Sequence, residues 1–130
     1  MSRAGKPSLS GLQLAVMRVL WERGEARVTE VHEVLAADRS IAPTTVSTLL
    51  TRLEKRGLVD HRTEGRQYVY RALKTEEEIS RSMVIELTDN LFRGDASELM
   101  AHLLREREMA PGDLEHIKRL IEEKEREKEA

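Results

Sequence analysis

The chain has no cysteine. Disulfides, thiolate metal sites and a cysteine nucleophile are therefore excluded, which fits a reducing compartment. Aromatic residues make up only 3 % of the chain, too few to furnish a large aromatic core or a base-stacking platform. No apolar run approaches the ~18 residues that a membrane span needs. The start, MSRAGKPSLSGLQLAVMRVLW, sets Arg3 and Lys6 before an apolar stretch as a signal peptide does. Ser10, Gln13 and Arg18 interrupt that stretch at helical spacing, however, and no small-residue cleavage site follows. The expectation is a soluble cytoplasmic protein with no membrane insertion. Chemistry-bearing clusters are missing as well. His32, His61, His102 and His116 are scattered, with no pair of histidines at metal-binding spacing. No carboxylate pair sits in an apolar setting suited to acid–base work, and no Gly-rich loop could cradle a phosphate. Neither an enzyme nor a cofactor is expected.

What is present is a chain of 130 residues, 39 % hydrophobic and 35 % charged, enough for helical cores in one ordinary domain or two small ones. Its charge is unevenly spread. Residues 1–74 hold 13 Lys and Arg against 8 Asp and Glu, whereas residues 75–130 hold 9 against 16. A +5 half thus precedes a −7 half, which suggests a basic domain facing a polyanion and an acidic one with another task.

Ser10 and Gln13 form a capping box, and Leu12, Ala15, Val16, Val19 and Leu20 follow on one helical face until Gly24 stops it. Trp21 is expected in the core. A short second helix is expected from Thr29, as N-cap, to about Ala37, burying Val31, Val34 and Leu35. A third runs from Pro43 to Arg56, with Val46, Leu49, Leu50 and Leu53 on its core face. Two β-rich runs then flank TEGR, a hairpin signal with Gly65 at the turn, and Tyr68 and Tyr70 share one face of the returning strand.

The third helix poses a puzzle. Thr44, Thr45, Ser47, Thr48 and Thr51 crowd into it although such residues cost up to ~0.7 kcal/mol each relative to Ala. They lie away from the apolar stripe, so folding does not ask for them. Duplex DNA does: short hydroxyl side chains approach phosphates and base edges closely, and a Thr methyl can meet a thymine methyl. Arg52 and Lys55 add charge on the same helix, and Arg62 and Arg66 place it on the hairpin. Three short helices followed by a basic hairpin spell a winged helix-turn-helix. The alternative is a winged-helix protein–protein interaction module without DNA binding, which would not need that charge.

After Leu73 a second capping box, Thr75 with Glu78, opens a helix carrying Ile79, Met83, Leu87 and Leu91. FRGD breaks it. Asp95 with Glu98 starts another helix, striped by Leu99, Met100, Leu103 and Leu104, and Pro111 is expected to open a last one bearing Leu114, Ile117, Leu120 and Ile121. EEKEREKEA continues it as a charged extension or frayed tail. So small a helical segment has wide apolar faces, and a second copy is the natural cover for Ile79, Met83, Leu87, Leu91, Leu99, Leu103, Leu114, Ile117, Leu120 and Ile121. The expected architecture is mainly α with a small β-hairpin wing. Residues 1–74 form a DNA-binding domain and residues 75–130 a helical dimerisation domain.

The motifs AVMRVLWERG, VTEVHEVL, APTTVSTLLTRLEKRGLV, GRQYVYRAL and LFRGDASELMAHLLREREMAPGDLEHIKRLI occur in that order. Together they resemble the penicillinase repressors of the BlaI/MecI/CopY type, over nearly the whole chain from Leu9 to about Ile121. The resemblance implies a homodimeric repressor of resistance or stress genes, bound to palindromic operators. It implies DNA contacts at Thr44, Thr45, Ser47, Thr48, Arg52, Arg62 and Arg66. It further implies release when a membrane-bound sensor metalloprotease triggers cleavage in the dimerisation helices, at positions matching His102 and Leu103. The copper-responsive members hold metal through C-terminal cysteines, which this chain lacks.

Overall fold

The structure is a computed structural model and describes residues 9–130; Arg3 and Lys6 lie outside the described residues. The chain divides into two units between Leu87 and Thr88. The first begins with helix α1 (Gly11–Arg23), whose N-terminus carries the expected capping box: Gln13 N–H donates to Ser10 Oγ and Ser10 N–H to Gln13 Oε1, both at 3.1 Å. Gly24, at φ 86°, turns the chain out of α1 and donates its N–H to the Leu20 carbonyl. A three-residue strand β1 (Glu25–Arg27) follows, then α2 (Val28–Ala36), α3 (Pro43–Lys55), and the hairpin of β2 (Val59–Glu64) and β3 (Gln67–Ala72).

Sequence pattern did not reveal β1, because three residues are too few to show a period. Its presence moves the start of α2. Arg27, still extended at φ −81° and ψ 161°, is the N-cap instead of Thr29, and its N–H donates to Glu30 Oε1 at 2.8 Å. β3 lies centrally in an antiparallel sheet ordered β1-β3-β2, with Ala26 opposite Tyr70 and Tyr70 opposite His61. The hairpin closes through Gly65 and Arg66, since Glu64 pairs with Gln67. Gly65 sits at φ 64°, the positive angle that a two-residue turn of the II′ kind asks of its first position.

The core of this unit joins α1, α2, α3 and the sheet through fully buried Val16, Met17, Leu20, Val31, Val46, Leu50 and Leu53. Trp21 packs at its margin, and its indole N–H donates to the Lys74 carbonyl at 2.8 Å, tying α1 to the end of the hairpin. His32 Nε2 lies 2.8 Å from the Ile41 carbonyl and so fastens α2 to the turn before α3. Val34, expected inside, is 39 % exposed.

Helix α4 (Glu76–Leu91) opens with the expected Thr75–Glu78 box, the two reciprocal bonds measuring 2.8 and 3.1 Å. Its first turns belong to the winged unit: Ile79 is only 2 % exposed, inside the core, and Met83 packs against it. These two side chains, assigned above to self-association, are therefore occupied within the chain. The division accordingly falls after Leu87, beyond the expected boundary at residue 74.

In the second unit, Arg93 and Gly94 take φ of 53° and 80° and end α4. Asp95 caps α5 (Ala96–Glu106), accepting from Glu98 N–H at 3.1 Å. Helix α6 (Asp113–Glu129) starts after Pro111, because Gly112, at φ 89°, is its N-cap and Pro111 lies in the preceding turn. The charged C-terminal run is helical. Leu99 is buried in this unit, while Leu91, Met100, Leu103, Leu104, Leu114, Leu120 and Ile121 are exposed.

Ile79→Ala is expected to destabilise the winged unit by ~2–5 kcal/mol, the range for emptying a buried Ile site. Urea unfolding followed by Trp21 fluorescence measures it. An unchanged midpoint would mean that α4 is not part of this core.

Candidate nucleic-acid interface

Helix α3 owes its orientation to its apolar stripe. With Val46, Leu49, Leu50 and Leu53 buried, the 3.6-residue repeat leaves Thr44, Thr45, Ser47, Thr48, Thr51, Arg52 and Lys55 exposed. Two hydroxyls turn back onto the helix: Thr48 Oγ1 donates to the Thr44 carbonyl and Thr51 Oγ1 to the Ser47 carbonyl, each at 3.0 Å. Their protons are engaged, so outward they present methyl groups and oxygen lone pairs. Thr51 also shares a side-chain hydrogen bond with Tyr70 of β3. It thus joins the helix to the hairpin as well as lying on the hydroxyl face.

Between α3 and the hairpin lies a cleft of about 440 Å³. Ser47 and Thr51 line one side and Arg66, Gln67, Tyr68 and Tyr70 the other, with Arg27, Val28 and Thr29 completing the lining. Composition and charge did not single out Tyr68, Gln67 or Thr29 for this surface. Tyr68 is half-exposed and its shared strand face with Tyr70 was the available signal. Burial pushes the Tyr70 phenol up, and the nearby Glu54 charge adds to the effect.

The four expected cations separate into two kinds. Arg52, Lys55 and Arg66 have no carboxylate partner among the described residues, so their charge is available to an anion. Arg62 is different. Strand alternation puts it on the outer face of the sheet, where it donates to Glu25 at 2.7 Å and to Glu64 at 2.8 Å. Those carboxylates raise its pKa further. Arg27 also binds Glu64, Glu30 links Arg23 to Arg27, and Arg71 grips Asp60 through two bonds of 2.8 and 3.2 Å. Arg62, expected at a phosphate, thus takes a place in an ion-pair ladder that ties β1, β2 and β3 together.

Among the described residues no group of His, Asp or Glu could hold a metal ion, and no helix is long and apolar enough to cross a membrane. His102 lies inside α5, its ring 5.8 Å from that of Phe92, and Leu103 is exposed beside it.

The sequence model of the penicillinase repressor family matches residues 9–123 of the chain. The penicillinase repressor of Bacillus licheniformis is 27 % identical, over 95 % of this chain and 97 % of that protein. The transcriptional regulator BlaI of Mycobacterium tuberculosis is 38 % identical, over 60 % of this chain and 57 % of that one. Among solved structures, the DNA-binding domain of the repressor BlaI superposes with a TM-score of 0.51 at 33 % identity, covering 60 % of this chain and 93 % of that domain.

The ladder makes the wing sensitive to acid. Hydrogen bonds from Arg71 hold Asp60, and bonds from Arg62 and then Arg27 hold Glu64, below their ordinary values of 3.8 and 4.5. A lowered folded pKa gives stability that is present above those ordinary values and disappears as pH falls through the folded ones. Melting of the wild type and of an Asp60→Asn/Glu64→Gln pair is expected to differ at neutral pH and to converge on acidification. A difference that persists unchanged into strong acid would show that the ladder contributes nothing.

Proposed function

This chain belongs to the penicillinase repressor family of DNA-binding transcriptional repressors, and we propose that it works as a homodimer on palindromic operators of resistance or stress genes. The observation that carries the reading is the outward hydroxyl face of α3 beside Arg52, Lys55 and Arg66, cations without a carboxylate partner among the described residues. Helix α3 enters the major groove, where Thr44, Thr45, Ser47 and Thr48 meet base edges and phosphates. Because Thr48 already donates to the Thr44 carbonyl, it reads by accepting from an amino group or by touching a thymine methyl. Arg52 and Lys55 meet phosphates from the helix and Arg66 meets one from the wing.

Dimerisation rests on the second unit. Its Leu91, Met100, Leu103, Leu104, Leu114, Leu120 and Ile121 are 40–68 % exposed. Covering what remains exposed would recover roughly half of the ~1.5–3 kcal/mol that full burial of each side chain is worth. Over two copies this amounts to about 10–20 kcal/mol, against association costs of ~4–15 kcal/mol. The gain is large enough to hold a dimer. Two half-site readers joined in this way match a two-fold operator.

Release by proteolysis at His102–Leu103, triggered by a membrane-bound sensor protease, follows from the family resemblance. The bond lies within α5, an eleven-residue helix, so it becomes a substrate only when the helix opens. Helices this short have little stability of their own, and opening is therefore accessible. Cleavage would detach Leu103, Leu104 and all of α6. Losing the link between two half-site readers forfeits an avidity gain of ~10²–10⁴.

Retention on duplex DNA is expected to fall steeply with salt, each phosphate contact adding about 0.9 to the slope of log affinity against log salt. Arg66→Ala should flatten that slope by about that amount per half-site. Arg62→Ala should leave the slope near the wild-type value while lowering the stability of the wing. Affinity independent of salt would instead favour a protein-binding module.

A chain cut after His102 is expected to be monomeric and to bind the same duplex ~10²–10⁴ times more weakly than the full chain. Sedimentation and a titration on one duplex measure both quantities. Equal dimerisation and equal affinity would remove cleavage at this bond as the switch.

A further inference from the structure

DNA binding of the proposed kind needs the wing and the recognition helix held in one register, and a single imidazole occupies the joint between them. His61 of β2 lies opposite Tyr70 of β3, so both side chains share the face of the hairpin that looks toward α3. Each meets a residue of that helix. Nδ1 of His61 is 2.7 Å from Glu54 Oε1, and the Tyr70 hydroxyl bonds to the Thr51 side chain. Thr51 and Glu54 are three residues apart and therefore neighbours on one side of α3. The result is a two-rung joint, one strand pair seated on one helical turn.

The lower rung continues toward the tip of the wing. The His61 ring stacks on Tyr68 with centroids 4.0 Å apart and planes 22° apart, and it meets Tyr70 at 5.3 Å. Tyr68 pairs with Thr63 and lines the cleft together with Arg66, two positions away, and with Ser47 and Thr51 across it. Contacts thus run from Glu54 through His61 and Tyr68 to the strand end that carries Arg66. A carboxylate only accepts, so Nδ1 is the donor of this pair. Asn could supply the N–H and Phe the stacking face; the compact imidazole of His61 supplies both from one ring.

We propose that His61 is the positioning residue that registers the wing against the recognition helix, so that Arg66 meets a phosphate at a fixed offset from the bases α3 reads. The proposal rests on the DNA-binding reading. Arg66 stands on a two-residue turn and has no ion-pair partner among the described residues, so its place depends on what holds the hairpin below it. On the outer face the ion-pair ladder binds the hairpin to β1; on the inner face His61 binds it to α3. The outer ladder fixes the wing to the sheet, and the inner joint adds polar contacts to the helix that carries specificity, beyond the shared apolar core.

The test is a double-mutant cycle on the full-length chain, using a duplex recovered from a random pool by the wild-type protein. Salt titrations are run for wild type, Arg66→Ala, His61→Ala and the double variant, with melting curves to confirm that each is folded. His61→Ala is expected to lower affinity and to flatten the salt slope as Arg66→Ala does, by about 0.9 per half-site. The double variant should then bind no more weakly than Arg66→Ala, because with Arg66 gone its positioning has nothing left to cost. His61→Asn and His61→Phe, each keeping one half of the contact, should each recover part of the slope. If His61→Ala does not fold, Glu54→Ala carries the same cycle from the helix side, at a position where Ala favours helix. Losses that simply add, or a wild-type salt slope in the His61 variants, overturn the proposal while leaving DNA binding intact. A wild-type protein that retains no duplex in any salt overturns the DNA reading and this proposal with it.

Discussion

The proposed DNA interface depends on one constraint: helix α3 must be a core element and a contact surface at the same time. Val46, Leu49, Leu50 and Leu53 anchor it against α1, α2 and the sheet, and they leave it no rotational freedom. Burying that stripe fixes where Thr44, Thr48 and Arg52 point before any ligand arrives. A wider stripe would bury the hydroxyls, and a narrower one would let the helix roll. The forgone helix propensity of five hydroxyl residues, up to ~0.7 kcal/mol each, is offset by the burial of four large aliphatic side chains at ~1.5–3 kcal/mol apiece. Packing, not propensity, keeps this segment helical.

The back-bonds from Thr48 and Thr51 sharpen what the helix can recognise. A free hydroxyl rotates and both donates and accepts, so it discriminates poorly. Tied to the carbonyl four residues back, each hydroxyl has its oxygen and methyl held in known directions. Such bonds slightly weaken a helix. Here they reduce the ordering that a base contact would otherwise require, which is a gain at the moment of binding. Thr51 has a second task, since its side chain also shares a hydrogen bond with Tyr70.

The sequence made the winged arrangement legible because its signals are local and periodic. The boxes at Ser10 and Thr75, the stripe of α3 and the Gly65 turn each need only a few neighbouring residues, and all four are in place. What escaped depends on distant residues. β1 is three residues long and exists only because β3 offers it an edge. Arg62 read as a wing cation because a sequence shows charge but not pairing, and Glu25 reaches it from 37 residues away. Ile79 read as an outward stripe residue because a helix pattern reports which face is apolar, not which neighbour covers it. The Glu54–His61–Tyr68 contacts were equally out of reach: a lone His on a strand carries no pattern until the fold sets a carboxylate on one side and a ring on the other.

The second unit follows a different logic. Leu99 is its buried large side chain, while α5 and α6 hold Leu103, Leu104, Leu114, Leu120 and Ile121 open to solvent. At eleven residues α5 is marginal in isolation, and with so little apolar area covered inside the unit the usual tertiary support is missing. The salt bridges along α6, Lys118 with Glu115 and Lys124 with Glu127, are exposed and worth a few tenths of a kcal/mol at most. They cannot replace a core. Covering the leucines of these helices would supply their order, and in the proposed dimer folding and association would become a single equilibrium. In the proposed dimer these helices would join the two readers, and opening α5 would loosen that link while the winged unit keeps its own core, which already includes Ile79 and Met83.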